Sequence, residues 1–339
     1  MRAAVIGTGL IGTSTALGLS DLGWDVVGWD PDHVALEEAL EMGAVRVVAS
    51  SAEQASDRAD LVVLAGPPAA IVDHLALLRT DALVTDVAGV KRPVVAAGAH
   101  LDRFVGGHPM AGREHAGPGA ASAGLFRGSA WVLCDDGAHP ADIAELSDLV
   151  SSLGARPVVM SAERHDRAVA VISHLPQLLA AALIESLEGE PEAMDLASGS
   201  FRDLTRVALS EPGWSSEVLL ENRTEVERAL GELVTSLGGW SLDLSAEEPA
   251  AVFQRLERAR DGRRRLAPPI VLVEVLLRDE PGELAAVGRA LATSRVDVRD
   301  LQLRHAPHGG GGVLAVSVRP GEAGALRRAL FDEGFSLVN

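Results

Sequence analysis

The sequence predicts an α/β protein in three parts: a doubly wound parallel sheet, an all-helical domain, and a small βαββαβ module. Three observations carry this. Short apolar strands alternate with helical segments from residue 1 to about residue 105, and a glycine-rich turn joins the first strand to the first helix. From Ser161 the pattern changes to long apolar helices, and strand signals return only at Ile270. A length of 339 residues suits two or three domains, each large enough to bury its own core. The expected boundaries are 1–160, 161–262 and 268–339.

In the first domain, Met1–Ile6 reads as a short buried strand and runs into Gly7-Thr8-Gly9-Leu10-Ile11-Gly12, after which Thr13–Leu22 has helical apolar spacing. This GxGxxG lies between a strand and a helix, the context that gives it weight. Gly7 permits the tight turn, Gly9 lets the backbone approach a pyrophosphate, and Gly12 lets the helix pack against the strand. The helix N-terminus offers unpaired N–H groups to the phosphates. A second strand, Asp25–Trp29, ends on Asp30, 18 residues after Gly12. A carboxylate there accepts both ribose hydroxyls of NAD and repels the 2'-phosphate of NADP; alternatively it caps the helix after Pro31. The implied domain is a Rossmann domain and the implied cofactor is NAD.

Further alternation follows: strand Leu61–Ala65, helix Ile71–Leu78, strand Ala82–Thr85, helix Val90–Ala97 and strand Phe104–Val105. Ligands of such sheets sit beyond the carboxyl ends of the strands. Three loops fall there: Gly66-Pro67-Pro68, Asp86–Lys91, and GGHPMAGREHAG from Gly106 to Gly117. The last is too rich in glycine and proline for the interior of a helix or strand, and it carries His108, Arg113 and Glu114.

Composition narrows the function classes. With 47% hydrophobic and 23% charged residues the chain has a globular balance. A net charge of -18 argues against nucleic acid, whose phosphates it would repel. The single Cys134 excludes an intramolecular disulfide and a cysteine metal cluster, so no metal is expected. Gly, Asp or Arg interrupts every apolar run before it is long enough to span a bilayer, and the N-terminus lacks the marks of a signal peptide. No membrane contact and a cytoplasmic location are expected. An acidic protein that binds an anionic substrate needs a few placed arginines.

Six segments resemble the prephenate dehydrogenase family, which includes arogenate dehydrogenases: VIGTGLIGTSTALGL, DVAGVK, GGHPMAGREHAG, GLFRGSAWVL, ERHDRAVAVISHLPQLLAAAL and SFRDLTRVALSEPGWSSEVLLENR. The likeness covers roughly Met1 to Arg260. It implies oxidative decarboxylation of a cyclohexadienol that bears a 4-hydroxyl and a ring carboxylate. His108 matches the family's catalytic histidine, and imidazole suits a base working near neutrality. Arg206 matches the arginine that holds the ring carboxylate, for which a planar bidentate guanidinium is apt. Arg113 is a second anion anchor, paired with Glu114. His174, in ISHLPQ, is either a satisfied core histidine or an active-site group. Gln177 stands where some prephenate-using relatives have a second histidine. Gly199 lets backbone pass near the substrate, Trp214 either walls the pocket or fills the core, and Asn222 matches a polar position of the motif.

One position departs from the family. Its usual DxxSxK places a serine near the histidine, whereas this chain reads DVAGVK with Gly89. Thr85, a water, or a substrate differing at that atom, such as a 4-amino-4-deoxy analogue, are the alternatives. Loss of catalysis, leaving a sensor of nucleotide and amino acid, is the reading from another class. Lys91 is either an anion partner or a solvated helix lysine.

In the second domain the expected helices are Ala168–Leu187, kinked at Pro176, Glu192–Ala197, Glu217–Leu237 and Pro249–Arg260. The all-round apolar character of the first calls for a covering partner, which implies a homodimer. Beyond the charged and proline-rich linker near Pro269, strand Ile270–Leu277, helix Gly282–Ser294, strands Val298–Arg304 and Gly312–Val318, helix Gly321–Glu333 and strand Phe335–Val338 complete the βαββαβ module. The turn Arg278–Leu284 is similar to that of ACT domains, which bind amino acids to regulate biosynthetic enzymes. Either an amino-acid effector such as tyrosine or phenylalanine, or a purely structural module, follows from it.

Overall fold

The computed structural model describes residues 1–112, 116–266, 271–278, 280–305 and 311–338. The chain divides into two units, Met1–Val234 and Thr235–Asn339.

In the first unit, strands β1 (Arg2–Ile6), β2 (Asp25–Trp29), β3 (Val47–Val48), β4 (Leu61–Leu64), β5 (Leu83–Asp86) and β6 (Phe104–Val105) form a parallel sheet in the order β3-β2-β1-β4-β5-β6. That is the doubly wound dinucleotide-binding order, with its reversal between β1 and β4. Apolar side chains on both faces of β1 explain its central place. Ala3 and Val5 pack with Leu19, Phe126 and Trp131, whereas Ala4 and Ile6 pack with Ile71, Leu75 and Val84.

A second, three-stranded sheet joins β7 (Gly107–Pro109), β8 (Ala130–Cys134) and β9 (Arg156–Met160), with helix Pro140–Ser152 between the last two. Its first strand corrects the sequence expectation that the whole Gly106–Gly117 stretch is loop. Buried Val132 opposite His108 and Trp131 opposite Pro109 supply a partner that composition alone did not show.

The expected long helix is also more structured than its pattern. Helix Ala162–Val169 passes through a π turn, Ala170–His174, into helix Leu175–Glu185. Pro176 has no N–H to give to the preceding turn, and the widened turn accommodates that loss. Taken together, Ala162–Glu185 has a window of mean hydropathy 1.6 and is long and apolar enough to cross a membrane by length and composition. This overturns the expectation that no run reaches that length. Yet the helix turns His165, Asp166 and His174 inwards, each at most 5% exposed. The expected helix Glu217–Leu237 is two helices, Pro212–Glu221 and Arg223–Ser245, separated at Asn222.

In the second unit, β10 (Val271–Leu277), β11 (Asp300–His305), β12 (Gly312–Val318) and β13 (Leu337–Val338) pair antiparallel in the order β11-β12-β10-β13. Helices Glu283–Ser294 and Ala323–Asp332 cover one face, packing Val287, Leu326 and Leu330 on Val273, Val275 and Val316. The element order is the expected βαββαβ; Ile270, Asp279, Gly309 and Gly310 lie outside the described residues.

Candidate active site

The glycine turn after β1 has the sterics that a dinucleotide cradle needs. Gly7 has φ +100, and an added Cβ would overlap the carbonyl oxygen of Ala65. A Cβ on Gly12 would overlap the Gly7 carbonyl oxygen, whereas one on Gly9 would meet nothing within 4 Å. The turn is therefore closed towards the protein and open at Gly9. No side chain caps the helix Leu10–Asp21 that starts there, so its first N–H groups face that open side. Thr8 and Asp30 form the edge: the Asp30 carboxylate accepts the Thr8 N–H at 2.5 Å and the Asp32 N–H at 2.8 Å. Capping of helix His33–Glu41, one alternative for Asp30, is performed by Asp32, which accepts from the Val34 and Ala35 N–H groups. Leu10 and Ile11 open the helix, while Gly66 and Pro67 follow β4 across the strand-order reversal.

His108 lies on β7, beyond β5 and β6, and its ring is tied into a buried polar chain. Its Nδ1 is 2.8 Å from His165 Nε2, and His165 Nδ1 is 2.8 Å from Asp166 Oδ1. Asp166 in turn accepts the N–H of Lys91 at 2.7 Å and of Arg92 at 2.9 Å, at the start of helix Arg92–Gly98. Asn222 donates to the Asp166 carbonyl at 2.8 Å and reaches His174 Nδ1 at 3.2 Å. The break at Asn222 thus inserts an amide into the cluster.

Burial governs the charge state of these rings. Desolvation, and then the neighbouring His165, Lys91 and His174, push the His108 pKa well below 6.5. Burial pushes His174 down to about 4, against the opposing pull of Asp166. Desolvation raises Asp166, but hydrogen bonds from His165 and from the Arg92 and Lys91 N–H groups outweigh it, so its pKa is lowered. At neutral pH the His108 and His174 rings are therefore neutral and the Asp166 carboxylate is ionised.

Lys91 is not a solvated helix lysine, and the carboxylate it partners belongs to the protein itself. It is fully buried, ion-paired with Asp86, and donates to the Gly107 carbonyl at 2.6 Å. The pair fixes the backbone just before His108. Thr85 donates its hydroxyl to the Val105 carbonyl at 2.8 Å and does not replace the family serine. Gly89 leaves room for that serine: a Cβ there would sit 3.9 Å from His108 Nε2.

The remaining predicted residues are more dispersed. Gln177 is half-buried, three positions after His174 and hence on the same helix face. Gly199 starts helix Gly199–Thr205, and Arg206 follows it; both are exposed. Trp214 is 53% exposed, which removes the core-filling alternative. Arg113 and Glu114 lie outside the described residues. Sequence reasoning missed His165 and Asp166. A signal existed, because Ala162, His165, Asp166 and Val169 share the buried helical face and thus place two ionisable groups where apolar ones belong.

Comparison with known proteins agrees with this layout. Residues 16–159 match the family described as prephenate dehydrogenase, nucleotide-binding domain, and residues 161–240 match prephenate dehydrogenase, dimerization domain. A probable prephenate dehydrogenase of Streptomyces niveus, NovF, is 34% identical over 97% of this chain and 98% of its own. The chain belongs to the prephenate dehydrogenase family. The prephenate dehydrogenase of Bacillus subtilis is 28% identical over 92% of this chain and 90% of its own. Among solved structures, the A. aeolicus prephenate dehydrogenase, in complex with hydroxyphenyl propionate and NAD+, is similar at TM-score 0.74 and 27% identity. It covers 79% of this chain and 98% of its own. Synechocystis arogenate dehydrogenase is similar at TM-score 0.69 and 28% identity, over 79% of this chain and 100% of its own. The family is one of oxidoreductases, and the strongly apolar helix Ala162–Glu185 falls within its dimerization domain.

Proposed function

We propose that this chain is an NAD-dependent prephenate dehydrogenase, oxidising and decarboxylating prephenate to 4-hydroxyphenylpyruvate for tyrosine biosynthesis. The observation that carries the proposal is His108: a desolvated imidazole anchored through Nδ1, with Nε2 beside the open space at Gly89 and beyond the carboxyl edge of the sheet. Gly7, Thr8, Gly9, Leu10, Ile11, Gly12, Gly66 and Pro67 hold the dinucleotide, and Asp30 selects NAD by its ribose hydroxyls. Bound there, NAD supplies the acceptor for the hydride leaving C4. His108 Nε2 takes the proton of the 4-hydroxyl as the hydride leaves; the ring carboxylate then departs as carbon dioxide, the ring becomes aromatic, and the phenolate oxygen takes the proton back. Aromatisation drives the reaction, so the protein chiefly orients substrate and accepts one proton.

Arg206 and Arg113 anchor the carboxylates in this reading. His174, Gln177, Gly199 and Trp214 shape the side-chain end of the pocket. The division into a nucleotide-binding domain over 1–160, a helical substrate and dimerisation domain over 161–262 and an ACT-like module over 268–339 is part of the same proposal. The match to a dimerization domain and the exposure of Val171, Ile172 and Ile184 at 46%, 64% and 44% support a homodimer. In the same reading the ACT-like module either takes an amino-acid effector or is purely structural, and the enzyme works in the cytoplasm.

Arogenate differs from prephenate only at the side-chain amine, and the missing hydroxyl at Gly89 favours testing a third substrate, 4-amino-4-deoxyprephenate. The experiment is NADH formation by purified protein with each of the three. Prephenate as the best substrate supports the proposal. The amino analogue as the best substrate replaces it, and no NADH from any of them, with NAD still bound, refutes an enzymatic role. His108→Asn abolishes turnover while leaving NAD affinity intact; full activity in that variant rejects the assigned base.

A further inference from the structure

The hydrogen-bond chain behind His108 determines which of its nitrogens is basic. An ionised carboxylate only accepts, so Asp166 Oδ1 obliges His165 Nδ1 to carry a proton. With Nδ1 of His165 donating to Asp166, its Nε2 is the ring's accepting nitrogen, and His108 Nδ1, 2.8 Å away, is the donor to it. The lone pair of His108 consequently lies on Nε2, on the side facing Gly89. We infer that His165 and Asp166 are positioning residues for the proposed reaction, holding His108 in the tautomer that accepts the substrate proton at Nε2 and stabilising the imidazolium that results.

Three features show that the chain is held rigidly. His165 and Asp166 are 1% and 2% exposed. Asp166 is fixed by the Lys91 and Arg92 N–H groups from the nucleotide-binding side and, through its carbonyl, by Asn222 from the helical side. The two imidazole rings meet edge to face, with centroids 5.0 Å apart and planes at 74°, so the nitrogens point at one another. When His108 gains a proton at Nε2, its Nδ1–H strengthens the bond to His165, whose Nδ1–H strengthens the bond to Asp166. The carboxylate remains ionised, because two backbone N–H groups already stabilise its charge. Among the described residues, the charged and titratable groups around His108 are His165 and Asp166 on helix Ala162–Val169, Lys91 paired with Asp86 behind β7, and His174 on the π turn.

The inference rests on the proposed reaction for its consequence, but its first test does not depend on any substrate. In full-length wild-type protein with NAD bound, the imidazole 15N signals must show His108 protonated at Nδ1 and bare at Nε2; the opposite tautomer overturns the inference. The second test uses turnover. Asp166→Asn lowers kcat roughly 10- to 100-fold, the effect typical of losing an outer partner of an active-site histidine, with substrate KM and NAD affinity unchanged. It also moves the acid limb of kcat/KM to lower pH, because a charge that stabilised the His108 imidazolium is gone. His165→Gln, which retains an acceptor for His108 Nδ1–H, recovers activity relative to His165→Phe. Wild-type kcat and pH profile in Asp166→Asn, or a loss confined to KM, overturns the positioning role. If a variant fails to fold, the wild-type 15N spectrum decides alone.

Discussion

Removing the buried ammonium of Lys91 should destabilise the first unit more than any surface change. Lys91 and Asp86 are both 0% exposed, and the ammonium serves Asp86 and the Gly107 carbonyl together. Lys91→Met keeps most of the stem volume but leaves the Asp86 carboxylate, among the described residues, with the N–H groups of Ala88 at 2.8 Å and Gly107 at 3.1 Å. Breaking one side of a buried pair costs about 3–5 kcal/mol. For a unit of this size about 2–4 °C of Tm accompanies each kcal/mol, so Tm should fall by roughly 6–20 °C. Scanning calorimetry of wild type, Lys91→Met and the double variant Lys91→Met/Asp86→Leu measures it. The double variant should regain most of the loss, because an apolar pair of similar volume needs no counter-charge. A single variant melting within about 3 °C of wild type, roughly 1 kcal/mol, would refute the reasoning.

Other substitutions address the cofactor site. Gly12→Ala forces a Cβ against the Gly7 carbonyl oxygen; strain of about 1–3 kcal/mol should weaken NAD on the order of tenfold or more, read by calorimetric titration. Asp30→Ala removes the charge-assisted ribose contacts, about 1.5–3 kcal/mol, so NAD affinity should drop roughly 10- to 100-fold while NADP changes far less. An unchanged NAD to NADP ratio rejects that use of the carboxylate. The acid limb of kcat/KM should lie well below pH 6.5, because His108 stays neutral there. Stability follows the same sign: the folded pKa values of His108 and His174 lie below 6.5, so the unfolded chain binds more protons as pH falls from 6.5 towards 4. Urea titrations should show stability declining across that window, and a rise would contradict the buried neutral rings.

Much of the nucleotide-binding fold was legible because its signals are local. The apolar strand before Gly7, the glycine spacing and the carboxylate closing β2 are set by sterics within a few residues, and the structure reproduces them in place. The element order of the C-terminal module followed likewise from period-two and period-3.6 patterns. Patterns became ambiguous where packing overrides propensity. A glycine- and proline-rich stretch became strand at His108 because β8 offered it partners, and an apparently single helix broke at Asn222 because its amide had polar groups to meet inside.

The sequence by itself determined the sheet's local pieces, the glycine cradle, the place of His108 beyond the strand ends and, through several ordered motifs, the family. Only the tertiary structure decided how the base is supported. His108 and His165 stand 57 positions apart and touch through one hydrogen bond. Lys91, which looked like a surface or ligand lysine, is neutralised in the interior by Asp86. The physical reason is that helix and strand preferences depend on near neighbours, whereas the state of a buried charge depends on partners that folding brings from distant parts of the chain.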